Sequence, residues 1–355
     1  MRSTSIRTSD LKASMYIRSL LVAAPLFLLC HCGDDDVAVD GGSLPDSATQ
    51  DVASPMDAAN QDATTPTEDG GPIDAGTGRQ NIRDFVFAER SGDCADHARS
   101  STAAVLDIQN ERDFDGLVDL EAGESACSLT SNAIPSHDFN DESASFRASD
   151  VMELDTTWSI PRNPEAADST TAIDLGSYDG VMLNGVVLDL LAAGCFGVGD
   201  GRIGCGVLTT PYRYDPMSPL ASFGTDEHNA HTQPDGRYHY HGDPLDMYGT
   251  ATAVSGVIGF AADGFPIYGP YFDDGTMIRA AASGYALKEG ERDGGPGGEY
   301  DGTFVDDYEF TGAGDLDECN GMVVDGQYGY YVTGSYPWVL ACFRGTPDAS
   351  FNKRR

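Results

Sequence analysis

The sequence predicts a mainly β domain, a pseudo-twofold β-barrel or β-sandwich, carried behind a disordered acidic N-terminal tether. Three observations lead there. From about Phe85 onward, short apolar runs alternate with Gly, Asn, Asp and Pro punctuation, as strands between tight turns do. The 355 residues include 42 glycines and 18 prolines, enough for many such turns. Finally, one segment of the chain repeats another, which is the mark of two related halves.

The first thirty residues read as an export signal. Arg2, Arg7, Lys12 and Arg18 make a positive leader, and Ser19 to Leu29 is an apolar run of eleven residues. At about 1.5 Å per residue that run is too short to span a bilayer as a helix. Cys30 and Cys32 follow, and then Gly33 and the aspartates Asp34 to Asp36. A cysteine at such a boundary resembles a bacterial lipoprotein lipobox, and Cys32, with Leu29 three positions before it, is the preferred lipid anchor over Cys30. This gives a signal peptide over 1–32 and a membrane link through the lipid alone. Met15 is an alternative start, since the segment from there to Cys30 is itself a compact signal.

Residues 33–80 contain eleven acidic residues and one basic residue, Arg79, among Ala, Gly, Pro, Ser and Thr. So little apolar surface cannot offset the entropy lost on ordering, so this stretch is expected to be a self-repelling spacer. The domain is expected over 81–350. Within it, the runs DGVMLNGVVLDLL, SGVIGFAADGFPIYGPYF and GQYGYYVTGSYPWVLACF read as strands. Helix signals are weak, at Ser100–Val105 and Asp189–Ala193. The stretch Asp113–Gly123 is rich in carboxylates, but Gly116 is misplaced for a calcium-binding EF-hand, so it reads as a solvated acidic loop.

Composition narrows the function. Lys and Arg number 21 against 57 Asp and Glu, a net charge of −36. Nucleic acids and anionic membrane surfaces recruit Lys and Arg, so neither is expected as a partner. Acidic excess instead suits solubility outside the cytoplasm or attraction of cations. Beyond Cys30 and Cys32, six cysteines remain: Cys94, Cys127, Cys195, Cys205, Cys319 and Cys342. An even number in an exported chain points to three disulfides. Nearness in sequence favours Cys195–Cys205 and Cys319–Cys342, which leaves Cys94 for Cys127. No CxxC pair is present to suggest a cysteine zinc or redox site.

The repeat aligns DEHNAHTQPDGRYHYH, Asp226 to His241, with DECNGMVVDGQYGYY, Asp317 to Tyr331, one residue shorter. Each copy follows a glycine-bearing strand pair, Gly180–Asp189 and Gly256–Gly269. Four of the chain's seven histidines, His228, His231, His239 and His241, fall within the fourteen residues of the first copy. The second has Cys319, Met322, Gly329 and Tyr331 at those positions. If Arg237–His241 is a strand, His239 and His241 project from one face about 6.5 to 7 Å apart, and Tyr238 and Tyr240 from the other. The turn at Pro234-Asp235-Gly236 would return the chain so that His231 or His228 approaches them. Three imidazoles suit zinc or copper with a coordination position left open. Asp226, Glu227, Asp235 and Asp243 are nearby carboxylates able to orient a ring N–H. Neither HExxH, a GxSxG elbow nor a P-loop is present.

RYHYHGDP, Arg237 to Pro244, resembles the signature of the YHYH domain family. Similar likeness extends through SNAIPSH at Ser131–His137, IPRNP at Ile160–Pro164, LNGV at Leu183–Val186 and GFAADGFPIYGP at Gly259–Pro270. It continues in DGTFVDDYEF at Asp301–Phe310, LDECNG at Leu316–Gly321 and CFRGTP at Cys342–Pro347. The resemblance implies an exported β-rich protein and names no reaction. The family often has Cys where His228 stands and Gly where Ala230 stands, which shifts weight to His231, His239 and His241. His137, within the SNAIPSH element, becomes a further candidate. The expectation is a surface lipoprotein binding copper or zinc through His231, His239 and His241, with His228 or His137 assisting. A secreted metal-dependent hydrolase or copper oxidoreductase, and an adhesion domain with structural histidines, are the alternatives.

Overall fold

The computed structural model describes residues 72–73, 76–221 and 223–353. The export signal, both candidate lipid-anchor cysteines and nearly all of the expected tether lie outside them. Those residues form strands and turns with three short 3-10 segments and no α-helix, and no helix among them is long and apolar enough to cross a membrane.

Two sheets share one core. The first has five strands in the order β1 (Gln80–Asn81), β2 (Arg99–Asp107), β3 (Arg112–Ala122), β4 (Ala126–Ser131) and β5 (Thr156–Pro161), antiparallel from β2 to β5. Strand β2 replaces the helix expected at Ser100–Val105. Its inward positions Ser101, Ala103, Val105 and Asp107 alternate with exposed or half-buried ones, but small residues blur that period of two. The acidic stretch read as a loop is strand β3. Phe114, Gly116, Val118 and Leu120 face inward, while Asp113, Asp115 and Glu121 lie on the solvent side. At Asp189–Ala193 the chain is irregular, not helical.

After β6 (Thr171–Ala172), the second sheet gathers β7 (Gly180–Met182), β8 (Val187–Leu188), β9 (Ala230–Thr232), β10 (Tyr238–Tyr240), β11 (Val257–Ala261) and β12 (Pro266–Tyr268). Two peripheral hairpins follow, β13 (Tyr271–Asp273) with β14 (Ile278–Ala280) and β15 (Tyr285–Leu287) with β16 (Tyr308–Phe310). Strands β17 (Gly321–Val324) and β18 (Gln327–Tyr331) complete the sheet, and β19 (Cys342–Phe343) pairs with β6.

The eight-stranded order is β17-β18-β12-β11-β7-β8-β10-β9, a palindrome about the central β11–β7 pair, curled into a half-barrel. Each half is a hairpin, β7–β8 or β11–β12, whose outer strand receives a parallel neighbour, β10 or β18. An antiparallel edge strand, β9 or β17, follows. This is the pseudo-twofold architecture the repeat predicts.

The hydrogen bonds repeat as well. The Asp226 carboxylate accepts the His228 and Ala230 N–H groups at 3.0 and 3.2 Å, and Asp317 accepts those of Cys319 and Gly321 at 3.0 and 2.9 Å. Asn229 and Asn320, both at positive φ (62° and 70°), offer their carbonyls to His241 N–H and Tyr331 N–H. Asparagine tolerates this left-handed conformation better than most residues. Tyr238 donates to Asp226 at 2.6 Å and Tyr328 to Asp317 at 3.1 Å. Pairing of Cys94–Cys127, Cys195–Cys205 and Cys319–Cys342 agrees with the order expected from spacing. Three disulfides suit an oxidising, extracytoplasmic setting.

The core runs from Leu129, Trp158 and Ile160 of the first sheet to Val181, Phe260, Ile267 and Tyr330 of the second, all at most 1% exposed. Strands β7 to β12 are buried at every position; β7, β8, β11 and β12 read accordingly as apolar or aromatic runs, whereas β9 and β10 bring His231, Thr232 and His239 into the interior. That burial holds the histidine segment rigidly in place.

Candidate metal centre

The β9–β10 hairpin builds the site. Its turn passes through Gly236 at φ 86°, a left-handed conformation, where an added Cβ would lie 2.5 Å from the Met152 side chain. That turn sets His231 directly opposite His239 in the antiparallel register, while His241 follows two residues later on the same face. The side-chain nitrogens of His231, His239 and His241 all lie within 4.8 Å of one another, and this group could hold a metal ion.

The ring nitrogens face one another. His241 Nε2 is 3.0 Å from His239 Nε2 and 3.1 Å from His231 Nε2. His231 Nδ1–H donates to the Phe223 carbonyl at 3.2 Å, and His239 Nδ1–H to the Arg237 carbonyl at 3.4 Å. A carbonyl can only accept, so these two neutral rings carry their proton on Nδ1 and present a bare Nε2 lone pair to the centre. His241 Nδ1 is buried without a hydrogen-bond partner. Three convergent imidazole nitrogens, with at most one proton among them, form a concentration of lone pairs that a cation relieves. In tetrahedral coordination, metal–nitrogen distances of about 2.0–2.1 Å place ligand nitrogens about 3.3 Å apart. The observed spacings need to open only slightly.

Burial sets the electrostatics. Desolvation holds His231 down to about 4, and it holds His239 and His241 well below the ordinary imidazole range, assisted for His239 by the other two rings. These rings are therefore neutral near pH 7, as metal ligation requires.

His228 and His137 are elsewhere. Their rings stack on each other at 3.5 Å between centroids. His137 donates from Nδ1 to the Asp138 carbonyl at 2.8 Å and accepts at Nε2 from Tyr240 Oη at 2.7 Å. Tyr240 Oη also accepts from Asn184 Nδ2 at 2.8 Å. His228 approaches the Pro244 carbonyl and the carboxylates of Glu227 and Asp246. Strand alternation explains the separation: Tyr238 and Tyr240 point away from the triad, and His137 belongs to the tyrosines' side. Neither His228 nor His137 joins the convergent group.

Carboxylate placement also departs from expectation. Asp226 braces the hairpin through Tyr238 and backbone N–H groups, and Asp243 is bound by Tyr248 Oη. The carboxylate that lines one cavity with the triad is Asp189, which takes Lys353 Nζ at 2.6 Å and Gln233 Nε2. Desolvation raises its pKa, and Lys353 opposes that shift. In the other half of the sheet Tyr268 stands at the position of Asp189 and stacks on Tyr331 at 5.0 Å. A Cβ on Gly329, the counterpart of His239, would fall 2.4 Å from the Tyr268 ring. Aromatic packing therefore fills in one half the space that imidazoles and a carboxylate occupy in the other.

The triad lines the floor of a half-open cavity of about 260 Å³, with Asp189, Gln233 and Lys353 to one side. Phe146, Leu175, Leu191, Ile203 and Phe223 form apolar walls, and Arg202 stands over the Phe146 ring at 4.6 Å. Sequence reasoning missed Asp189, Arg202 and Lys353, which lie 42, 29 and 122 residues from His231 along the chain and carry no local motif. The one available signal was the half-to-half comparison, which pairs Asp189 with Tyr268.

A family model described as YHYH protein matches residues 157–345. No curated protein and no solved structure gives a match. The matched span is more than half of the chain and contains the whole triad, so the chain belongs to the YHYH protein family.

Proposed function

We propose that this YHYH-family protein is a surface lipoprotein, anchored through Cys32, that binds one zinc or copper ion through Nε2 of His231, His239 and His241. The observation that carries the reading is the convergence of three buried nitrogens at 3.0–3.1 Å, two of them with their Nδ1 protons held by backbone carbonyls. Bonds among the three rings cannot satisfy them all, because at most one proton lies among the three Nε2 atoms, so at least one lone pair at the centre is left unanswered. His228 and His137 take the structural role, bracing Tyr240 and the 244 turn.

A half-open cavity above the triad favours a site with an exchangeable ligand over a closed structural one. That feature also supports the second reading, a secreted metal-dependent enzyme. A zinc ion bound here would lower the pKa of a coordinated water toward neutrality. Of the chain's own residues, the triad would hold the ion, Asp189 with Lys353 would set the charge beside it, and the apolar walls would limit water.

Thermal unfolding with and without added zinc or copper tests the binding reading. An ion at about one hundred times its Kd adds about 2.7 kcal/mol. For a domain of this size that raises Tm by roughly 5–10 °C. His231→Ala should abolish the rise. An equal rise in that variant, or none in the parent protein, would remove the triad as the site. Loss of membrane fractionation in Cys32→Ser, with Cys30→Ser unchanged, would test the anchor.

A further inference from the structure

The cavity above the triad has a composition that says what kind of molecule should enter it. Its walls are hydrocarbon: Phe146, Leu175, Leu191, Ile203 and Phe223. At about 260 Å³ it falls just below the roughly 300–1,000 Å³ of sites that take drug-sized ligands, so its occupant is small. Its polar lining is the histidine triad with Asp189, Thr232, Gln233 and Lys353, and Arg202 beside Ile203, which is itself 58% exposed.

Charge decides the rest. Three imidazoles bound through Nε2 remain neutral ligands, so they cancel none of the charge of a divalent ion. Asp189 is the one carboxylate among the lining residues. Its Oδ2 is held by Lys353 at 2.6 Å and by Gln233, and it does not belong to the group of side chains close enough to share an ion. The Lys353–Asp189 pair is neutral in sum, and Arg202 adds a further positive charge. A divalent ion here would therefore stand in an apolar chamber with uncompensated positive charge, in a protein whose net charge is −36. Uncompensated charge in such surroundings is costly, and an anionic ligand on the open coordination position offsets it.

We infer that the cavity is a binding site for a small carboxylate with an apolar body, its carboxylate oxygen on the metal and its hydrocarbon against Leu175, Leu191, Phe146 and Phe223. This rests on the metal reading above and adds the class of ligand. Arg202 steers the anion at the mouth. It is carried on the loop closed by the Cys195–Cys205 disulfide, whose short span holds it near the Phe146 ring. Hydroxide or chloride would answer the charge but would leave the hydrocarbon wall wet. A neutral apolar molecule would fill the wall and leave the charge unanswered.

Cobalt(II) provides the readout, because its visible absorption reports the ligands of a bound ion. The full chain loaded with cobalt would be titrated with benzoate, acetate and benzyl alcohol. Benzoate should change the spectrum at a concentration at least tenfold below that needed for acetate, and benzyl alcohol should leave it unchanged. Arg202→Gln and Ile203→Glu, both at exposed positions, should each weaken benzoate several-fold without altering the cobalt content. Equal responses to acetate and benzoate, or to benzoate and benzyl alcohol, would overturn the inference while leaving the metal site in place. Absence of any cobalt spectrum would overturn the metal reading and the inference together.

Discussion

His137 makes the fold sensitive to acid in a way that can be worked out. Its ring is 3% exposed, stacks on His228, and accepts a hydrogen bond from Tyr240 at Nε2. Desolvation, with a smaller contribution from the neighbouring His228, holds its pKa at about 3 against an ordinary 6.5. In the unfolded chain the ring takes up a proton as pH falls through about 6.5. The folded ring does not until about 3, so stability present above 6.5 drains away across that window. Within it the slope for this one group approaches about 1.36 kcal/mol per pH unit. Between pH 7.5 and pH 5 the loss is about 2 kcal/mol from His137 alone. His137→Gln removes the titration. The variant should be less stable at pH 7.5, because the stack and the Tyr240 bond are disturbed, yet lose about 2 kcal/mol less than the parent on going to pH 5. Urea unfolding with disulfides intact at pH 7.5, 6 and 5 measures both slopes. Parallel slopes in the two proteins would refute the assignment of a buried, neutral His137.

Two further outcomes follow from the repeat and its staples. Tyr238→Phe removes a fully buried hydroxyl that donates to Asp226 at 2.6 Å and should cost about 1.5–3 kcal/mol, whereas Tyr328→Phe, at the half-buried, longer counterpart with Asp317, should cost less. Denaturant midpoints rank the pair, and the reverse order would contradict the packing difference between the halves. Replacing Cys94 and Cys127 together by Ala opens a link spanning 33 residues between the 3-10 turn at Cys94–His97 and β4. Loop-closure entropy predicts a loss of about 3–4 kcal/mol, read as a fall in denaturant midpoint, with a steeper slope because the unlinked unfolded chain exposes more surface.

How much of this was legible in the sequence differs from part to part. The repeat was, because the positions its two copies share are those the backbone needs: Asp226 and Asp317 to collect N–H groups, Asn229 and Asn320 to adopt positive φ, and Tyr238 and Tyr328 to reach back to the carboxylates. From that repeat the pseudo-twofold sheet follows. The disulfide order was legible from spacing alone. Strand β2 was not, since Ser, Thr and Ala give too little contrast between its two faces for the period of two to show. Strand β3 was hidden by composition: its carboxylates are real and solvated, but they mark one face of a strand, not a loop.

The site divides in the same way. Alternation along Tyr238–His241 was enough to expect His239 and His241 on one face, the Pro234-Asp235-Gly236 turn offered His231 or His228 as the third, and the family resemblance favoured His231, which the register sets opposite His239. Placement of His228 and His137 depends on which side of the hairpin the first sheet covers, and that is a long-range packing outcome that no local pattern encodes. Asp189, Arg202 and Lys353 reach the cavity from three separate segments, so their joint role emerges only when the chain is folded.

Elemental analysis of the purified protein beside a His239→Ala/His241→Ala variant decides whether the triad holds a metal ion. About one zinc or copper per chain is expected in the parent protein and none in the variant, with both retaining the β-rich circular dichroism of the fold. A parent protein free of metal that also takes up neither ion when supplied, or a variant that keeps its metal, would contradict this expectation.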